Sequence, residues 1–242
     1  MGQVAATAIR ALADVARLGP FFTLTVPALS PLPHGGHAFA ALELPEGAAL
    51  LREQVARAAD RLGAGDGQPV ASMLHLGAAA AIASPLLAVA AVHGIVLDLQ
   101  PEQLRFSFRS VATLDLTLTD PDAGWLDGLL PEAAGALVTV LERLLGAFTA
   151  ALTASHPLPP AIVAGNALSA LAASAKLIEP AAAARRAKLL VDLMARRSPV
   201  LHGAGVLHWQ EPDGPGYFRR SNCCLFYRLP GGGLCGDCVL DR

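Results

Sequence analysis

Every cysteine of this 242-residue chain lies in its last twenty residues, at Cys223, Cys224, Cys235 and Cys238. No disulfide or thiolate–metal staple can therefore hold the body before Cys223, which must fold on apolar burial alone. At this length, and with 53% hydrophobic residues, it has enough material for a full core. A chain that confines its thiols to one sixteen-residue window is building a local site rather than stapling a fold.

Soft thiolates select zinc or iron–sulfur, and three uses of the quartet compete. Disulfides suit small secreted domains that lack a core, and this chain is not short of one. Structural zinc takes four thiolates, but zinc ribbons usually use two Cys-x2-Cys pairs, and here the first pair is adjacent. A [2Fe-2S] cluster also takes four thiolates, two per iron, although the spacing matches neither the plant-type nor the bacterial ferredoxin run.

The flanking residues narrow the choice. Arg219-Arg220-Ser221-Asn222 leads into Cys223-Cys224-Leu225-Phe226-Tyr227-Arg228, followed by Leu229-Pro230-Gly231-Gly232-Gly233-Leu234-Cys235-Gly236-Asp237-Cys238. This string resembles the C-terminal cluster motif of the FhuF-type ferric siderophore reductases. The adjacent cysteines, the ten-residue gap, the Pro-Gly-Gly-Gly turn and the final Cys-Gly-Asp-Cys all coincide. Weaker similarity runs through Ser84-Pro85-Leu86-Leu87 to His93-Gly94-Ile95-Val96 and through Gly165-Asn166-Ala167-Leu168-Ser169-Ala170-Leu171. The resemblance implies a cytoplasmic [2Fe-2S] protein that reduces iron(III) held by hydroxamate-type siderophores, working near the inner membrane where siderophores arrive.

The same window makes chemical sense without the family. Gly231, Gly232 and Gly233 let the backbone come close to a cluster, and the N–H groups of Gly232 and Gly233 are candidate donors to its sulfides. The plainer alternative is a hairpin loop between Leu225–Tyr227 and Leu234. Arg219, Arg220 and Arg228 place three cations near the thiols. Arg228, inside the Cys224–Cys235 loop, is the candidate for tuning a cluster's potential. His202 and His208 are close in sequence, but four cysteines leave no ligand position for them.

Lys and Arg number 18 against 20 Asp and Glu, a formal net charge of −2, which argues against nucleic acid as a partner. There is no P-loop, no dinucleotide glycine motif after a strand and no Gly-x-Ser-x-Gly elbow, and the Gly63–Gly67 stretch reads as a loop. Arg10, Asp14 and Arg17 interrupt the first apolar stretch, so no signal peptide is expected. Free thiols then fit a reducing cytoplasm.

No charged residue occurs between Gly67 and Leu97. That window passes the length test for a spanning helix, but Pro85 lies near its middle. Two buried helices meeting at Pro85 are expected instead.

The remaining pattern predicts helices over 5–18, from Pro45 (Leu51, Val55, Ala58 and Leu62 on one face), over 132–152 (Leu137, Leu141, Leu144, Phe148 and Leu152), over 161–178, and from Pro180. Asn166, in the small-residue helix, is expected as a satisfied core or capping amide, with a siderophore contact as the alternative. Residues 176–197 hold six Lys or Arg and two acids, a face that is solvated or docks an acidic electron donor. Residues 104–109 and 114–119 alternate as two antiparallel strands. Further strands are expected at His37–Leu44, Ile95–Leu99 and Val206–Trp209, with loops at Pro27–Gly36 and Asp120-Pro121-Asp122.

The expected architecture is a mainly helical α+β fold, its helices around a small antiparallel sheet. Residues 1–200 form the body, and 201–242 form the cysteine-rich iron–sulfur segment. The expected function is one-electron reduction of a ferric siderophore by a [2Fe-2S] cluster held by Cys223, Cys224, Cys235 and Cys238. Its electrons would come from a donor protein or a reduced cofactor, with peripheral contact to the inner membrane or a siderophore importer. The alternatives are a zinc-stabilised siderophore-binding module and a simple electron carrier.

Overall fold

The computed structural model describes residues 3–26, 36–120, 124–127, 130–179, 181–209 and 216–241. Among these, helix α1 (Gln3–Val15) runs through two 3-10 turns into β1 (Leu24–Thr25). Strand β2 (His37–Ala38) gives way at once to a 3-10 turn, Phe39–Glu43. Helices α2 (Pro45–Leu62) and α3 (Gly67–His93) come next, then the strands β3 (Ile95–Asp98), β4 (Leu104–Phe108), β5 (Leu114–Leu118) and β6 (Gly124–Asp127). Helices α4 (Leu130–Thr153), α5 (Pro160–Leu177) and α6 (Ala181–Arg197) follow, and the hairpin β7 (Gly205–Trp209) and β8 (Gly216–Arg220) leads into the cysteines.

The centre of the fold is α3. Asp66 caps it by accepting the Gln68 N–H at 2.9 Å, and Gly94 ends it in the left-handed conformation. Helices α1, α2, α4, α5 and α6 all pack on it. Being apolar nearly all round, it belongs inside a core. It runs unbroken through Pro85, where two helices were expected. A proline there removes one backbone N–H, and packing on several sides holds the rest. Ser84 Oγ donates to the Ala80 carbonyl at 2.7 Å and lies 2.7 Å from Ser174 Oγ of α5.

Among the described residues, three helices are long and apolar enough to cross a membrane: α3, α4 and α5. In α3 the apolar surface is spent within the fold, 78% of its most apolar window being buried. The expected stripes on α2 and α4 are there, with Leu51, Val55, Ala58, Leu137, Leu141, Leu144, Phe148 and Leu152 all buried. The basic face of α6 is partly used internally. Arg186 donates to the Ala91 carbonyl at 3.1 Å, and Lys188 sits 6.0 Å from the Trp209 ring.

The sheet is mixed rather than antiparallel. β4 and β5 pair antiparallel as expected, in the register Phe106↔Leu116, but β1 adds to β5 in parallel, giving the order β1-β5-β4-β2. Leu104, Phe106, Leu114, Leu116 and Leu118 face the core. Only His37 and Ala38 of the expected His37–Leu44 strand pair in a sheet. Phe39 and Leu42, three residues apart, both bury, which a 3-10 turn allows and a strand does not. β3 pairs with β6, a strand the alternation did not reveal. Pro121 and Asp122 of the expected turn, most of the Pro27–Gly36 loop, and Pro180 lie outside the described residues.

Candidate functional site at the cysteines

The hairpin β7–β8 delivers the cysteines, and its alternation decides which arginine goes with them. In β8, Phe218 and Arg220 point inward and are 1% and 2% exposed, while Tyr217 and Arg219 point out. Arg219 turns to the Asp241 carbonyl. The inward face of β8 lies on α5. Phe218 and Leu229 join the same buried apolar cluster as the helices, so the C-terminal segment is packed onto the body.

After β8 the chain folds back twice. Arg220 N–H donates to the Asp237 carbonyl at 3.0 Å, and Cys238 N–H to the Cys235 carbonyl at 3.1 Å. These bonds bring the second cysteine pair beside the first. Ser72 Oγ, from α3, donates to the Cys224 carbonyl at 2.8 Å. Leu225 N–H reaches Cys223 Sγ and Leu240 N–H reaches Cys238 Sγ, both at 3.3 Å. Each of these two sulfurs thus receives an N–H from two residues on.

Leu225 makes its bond at φ +67°, the only positive-φ non-glycine residue among those described. The left-handed region costs an ordinary residue about 1–2 kcal/mol, so strain is stored beside the adjacent cysteine pair. Leu225→Gly is expected to raise stability by about 0.5–1 kcal/mol, read as a higher urea midpoint at unchanged slope. A lower midpoint would mean that packing of the leucine side chain outweighs the strain.

All four cysteines are free thiols. Cys224 and Cys238 are buried, and Cys223 and Cys235 half-buried. Burial, with the hydrogen bond and charge of Cys224 and the charge of Cys238, pushes Cys235 up to about 12. Without a metal ion, the raised value keeps the Cys235 thiol protonated. Among the described residues, no three His, Cys, Asp or Glu side chains form a ready-made site for a metal ion.

Arg220 links the cysteines to the helices. Its Nη2 donates to Asn166 Oδ1 of α5 at 2.6 Å. Asn166 Nδ2 donates to the Ser72 carbonyl at 2.9 Å and lies 3.4 Å from His75 Nδ1. His75 Nε2 lies 2.9 Å from Thr149 Oγ1 of α4, which itself donates to the Leu145 carbonyl at 2.6 Å. His75 Nε2–H is therefore the donor to Thr149, and the ring is neutral. Burial first, and then the Arg220 charge, lower His75 to about 4. Burial lowers the Arg220 pKa as well, and Cys224, Cys235, Asp237 and Cys223 pull it back up. Among the described residues, Arg220 Nε and Nη1 and both amide atoms of Asn222 are buried without a hydrogen-bond partner.

The expected site residues divide as follows. The four cysteines lie on one segment, with Cys235 beside Cys224 and Cys238. Arg228, the expected tuning cation, is held elsewhere: Asp66 and Gln68, at the start of α3, take its guanidinium. Its place beside the thiols belongs to Arg220. Gly232 is not an open donor, because its N–H bonds the Leu229 carbonyl at 2.8 Å. It must be glycine for another reason, since a Cβ would run into the Phe226 carbonyl oxygen. Gly233 has open space at its Cβ position. The plainer alternative, a hairpin loop between Leu225–Tyr227 and Leu234, does not form there: Phe226–Arg228 is a 3-10 turn. His208 stacks on Tyr217, 4.5 Å between centroids.

Asn166 is the satisfied core amide that was expected. Ser72, His75, Ser169 and Asp237 were not singled out. Ser169 Oγ bonds the Asp237 carboxylate, and Lys176 lies 3.9 Å from it. The small-polar residues of the Gly165–Leu171 stretch were the available signal for Ser169.

Residues 220–240 match the family model of the FhuF 2Fe-2S C-terminal domain. The match begins at Arg220 and encloses all four cysteines and Asp237. No curated protein sequence matches the chain.

Proposed function

We propose that this chain, whose C-terminal segment is of the FhuF 2Fe-2S type, is a reductase of iron(III) held by a siderophore, with hydroxamate-type siderophores as the substrate class. The observation that carries the reading is four free thiols in one short segment, three of which act electrostatically on a buried, incompletely partnered arginine. The donor set fits a [2Fe-2S] cluster: four soft sulfurs, N–H bonds at Cys223 and Cys238, and a cation whose free N–H groups suit an anion. When bound, such a cluster supplies one-electron chemistry.

Cys223, Cys224, Cys235 and Cys238 would hold it, with residues 1–200 as the supporting body and 201–242 as the redox segment. The half-exposure of Cys223 and Cys235 keeps one side of the donor set near the surface, where a bulky iron chelate can approach. Substrate iron(III) gains one electron and becomes iron(II). Its lower charge weakens its bonds to hard oxygen donors, and it exchanges out of the siderophore. No acid–base residue is needed for that step. A donor protein or reduced cofactor returns the electron, and cytoplasmic work close to the inner membrane suits both supply and substrate.

The test is anaerobic. Dithionite-reduced protein should give the EPR signal of a reduced [2Fe-2S] cluster. Mixed with a ferric hydroxamate, it should be reoxidised quickly while a ferrous chelator traps iron(II). A colourless zinc protein would instead make this a binding module. Sluggish reaction across a siderophore panel, with ready reoxidation by unrelated acceptors, would make it an electron carrier.

A further inference from the structure

We infer that Arg220 and Asn222, seated on Gly165 of α5, are the buried counter-charge and N–H donors that set the redox balance at the four cysteines. This rests on the proposed [2Fe-2S] reading. Residues outside the cysteine window therefore help to determine the potential.

The geometry is specific. Arg220 is 2% exposed, yet among the described residues no carboxylate lies within ion-pair distance of it. Asp237 acts on it electrostatically, but that carboxylate is bonded by Ser169 and lies near Lys176. A buried charge without a counter-ion is strongly destabilising. Besides Asp237, the acidic groups that act on Arg220 are Cys224, first among them, Cys235 and Cys223. Asn166 fixes one edge of the guanidinium at 2.6 Å and leaves Nε and Nη1 unpartnered, with the Asn222 amide likewise unpartnered.

Gly165 explains how the pair fits. A Cβ there would lie 2.8 Å from Arg220 Nη2 and 2.9 Å from both amide atoms of Asn222. A Cβ at this position would push the ends of both side chains off their present places on α5, and the Gly165-Asn166 dipeptide supplies the seat and the clamp in consecutive residues.

The electrostatic sign follows. A [2Fe-2S] cluster on four thiolates is dianionic when oxidised and gains one negative charge on reduction. A fixed cation nearby favours the reduced state, and N–H donors to sulfur act in the same direction.

The experiment is protein-film voltammetry on wild type, Arg220→Gln, Arg220→Lys and Gly165→Ala, with visible spectra to confirm an intact cluster. Arg220→Gln should lower the reduction equilibrium constant about tenfold, about 59 mV for a one-electron couple. Arg220→Lys keeps the charge but not the fork and should shift less. Gly165→Ala keeps every charge and every cysteine yet displaces the pair, and should also lower the potential. If Arg220→Gln loads no cluster, the other two variants decide. Unshifted or raised potentials in variants that retain the cluster overturn the inference alone. A wild-type protein with no [2Fe-2S] spectrum overturns the functional reading and this inference with it.

Discussion

Replacing Cys224 with serine is expected to bleach the visible absorption of the purified protein, or to leave a cluster that decays within a single purification. Of the four thiols it is among the two most buried, and it acts on both Cys235 and Arg220. Its backbone is pinned to α3 by Ser72, so a neighbouring group cannot readily swing in to replace the lost sulfur. Serine is a harder donor and a poor substitute for thiolate. The same loss is expected at Cys223, whose sulfur already has its N–H bond from Leu225. Absorbance and iron content per chain, measured on anaerobically purified variants, check both. Intact and equally stable clusters in the two single variants would sink the four-thiolate assignment.

The parts of the fold that could be anticipated are those where one periodicity dominates a whole element. The stripes of α2 and α4 and the alternation of β4 and β5 are of this kind. Where two forces of similar size meet, local rules misjudge the result. Pro85 costs α3 one hydrogen bond, but burial on several sides outweighs it. Phe39 and Leu42 sit in a segment with strand-like composition, and their common burial winds it into a 3-10 turn.

The cysteines were visible because four thiols in sixteen residues have few structural explanations. Which arginine accompanies them was not visible. Arg228 is nearer in sequence to the centre of the loop, but the choice depends on strand parity in β8 and on a capping carboxylate more than a hundred residues upstream. Ser72 and His75 were missed for the same reason: single polar residues in an apolar helix acquire meaning only when another helix faces them.

That facing pair also makes the fold acid-sensitive. His75 must stay neutral: its Nδ1 faces the Asn166 amide N–H, and the other end of that amide is committed to Arg220. Adding a proton would set two N–H groups against each other and place a second buried cation near the first. The folded-state value is about 4 against 6.5 unfolded. The unfolded chain therefore takes up the proton first as pH falls. Stability is full above the unfolded value, declines as pH drops from about 6.5 towards 4, and levels below that. The total contribution is about 3 kcal/mol, of which about 1.4 kcal/mol is lost between pH 7.5 and 5.5.

Burial and then the Arg52 charge lower the pKa of His156 as well. The measurement must therefore be a difference. Urea unfolding at pH 7.5 and 5.5 is compared between wild type and His75→Gln, whose amide can still donate to Thr149 but carries no titratable ring. The wild type should lose about 1.4 kcal/mol more than the variant over that interval, whatever their absolute stabilities. Parallel losses in the two proteins would show that the Ser72–Asn166–Arg220 cluster can accommodate a charged His75.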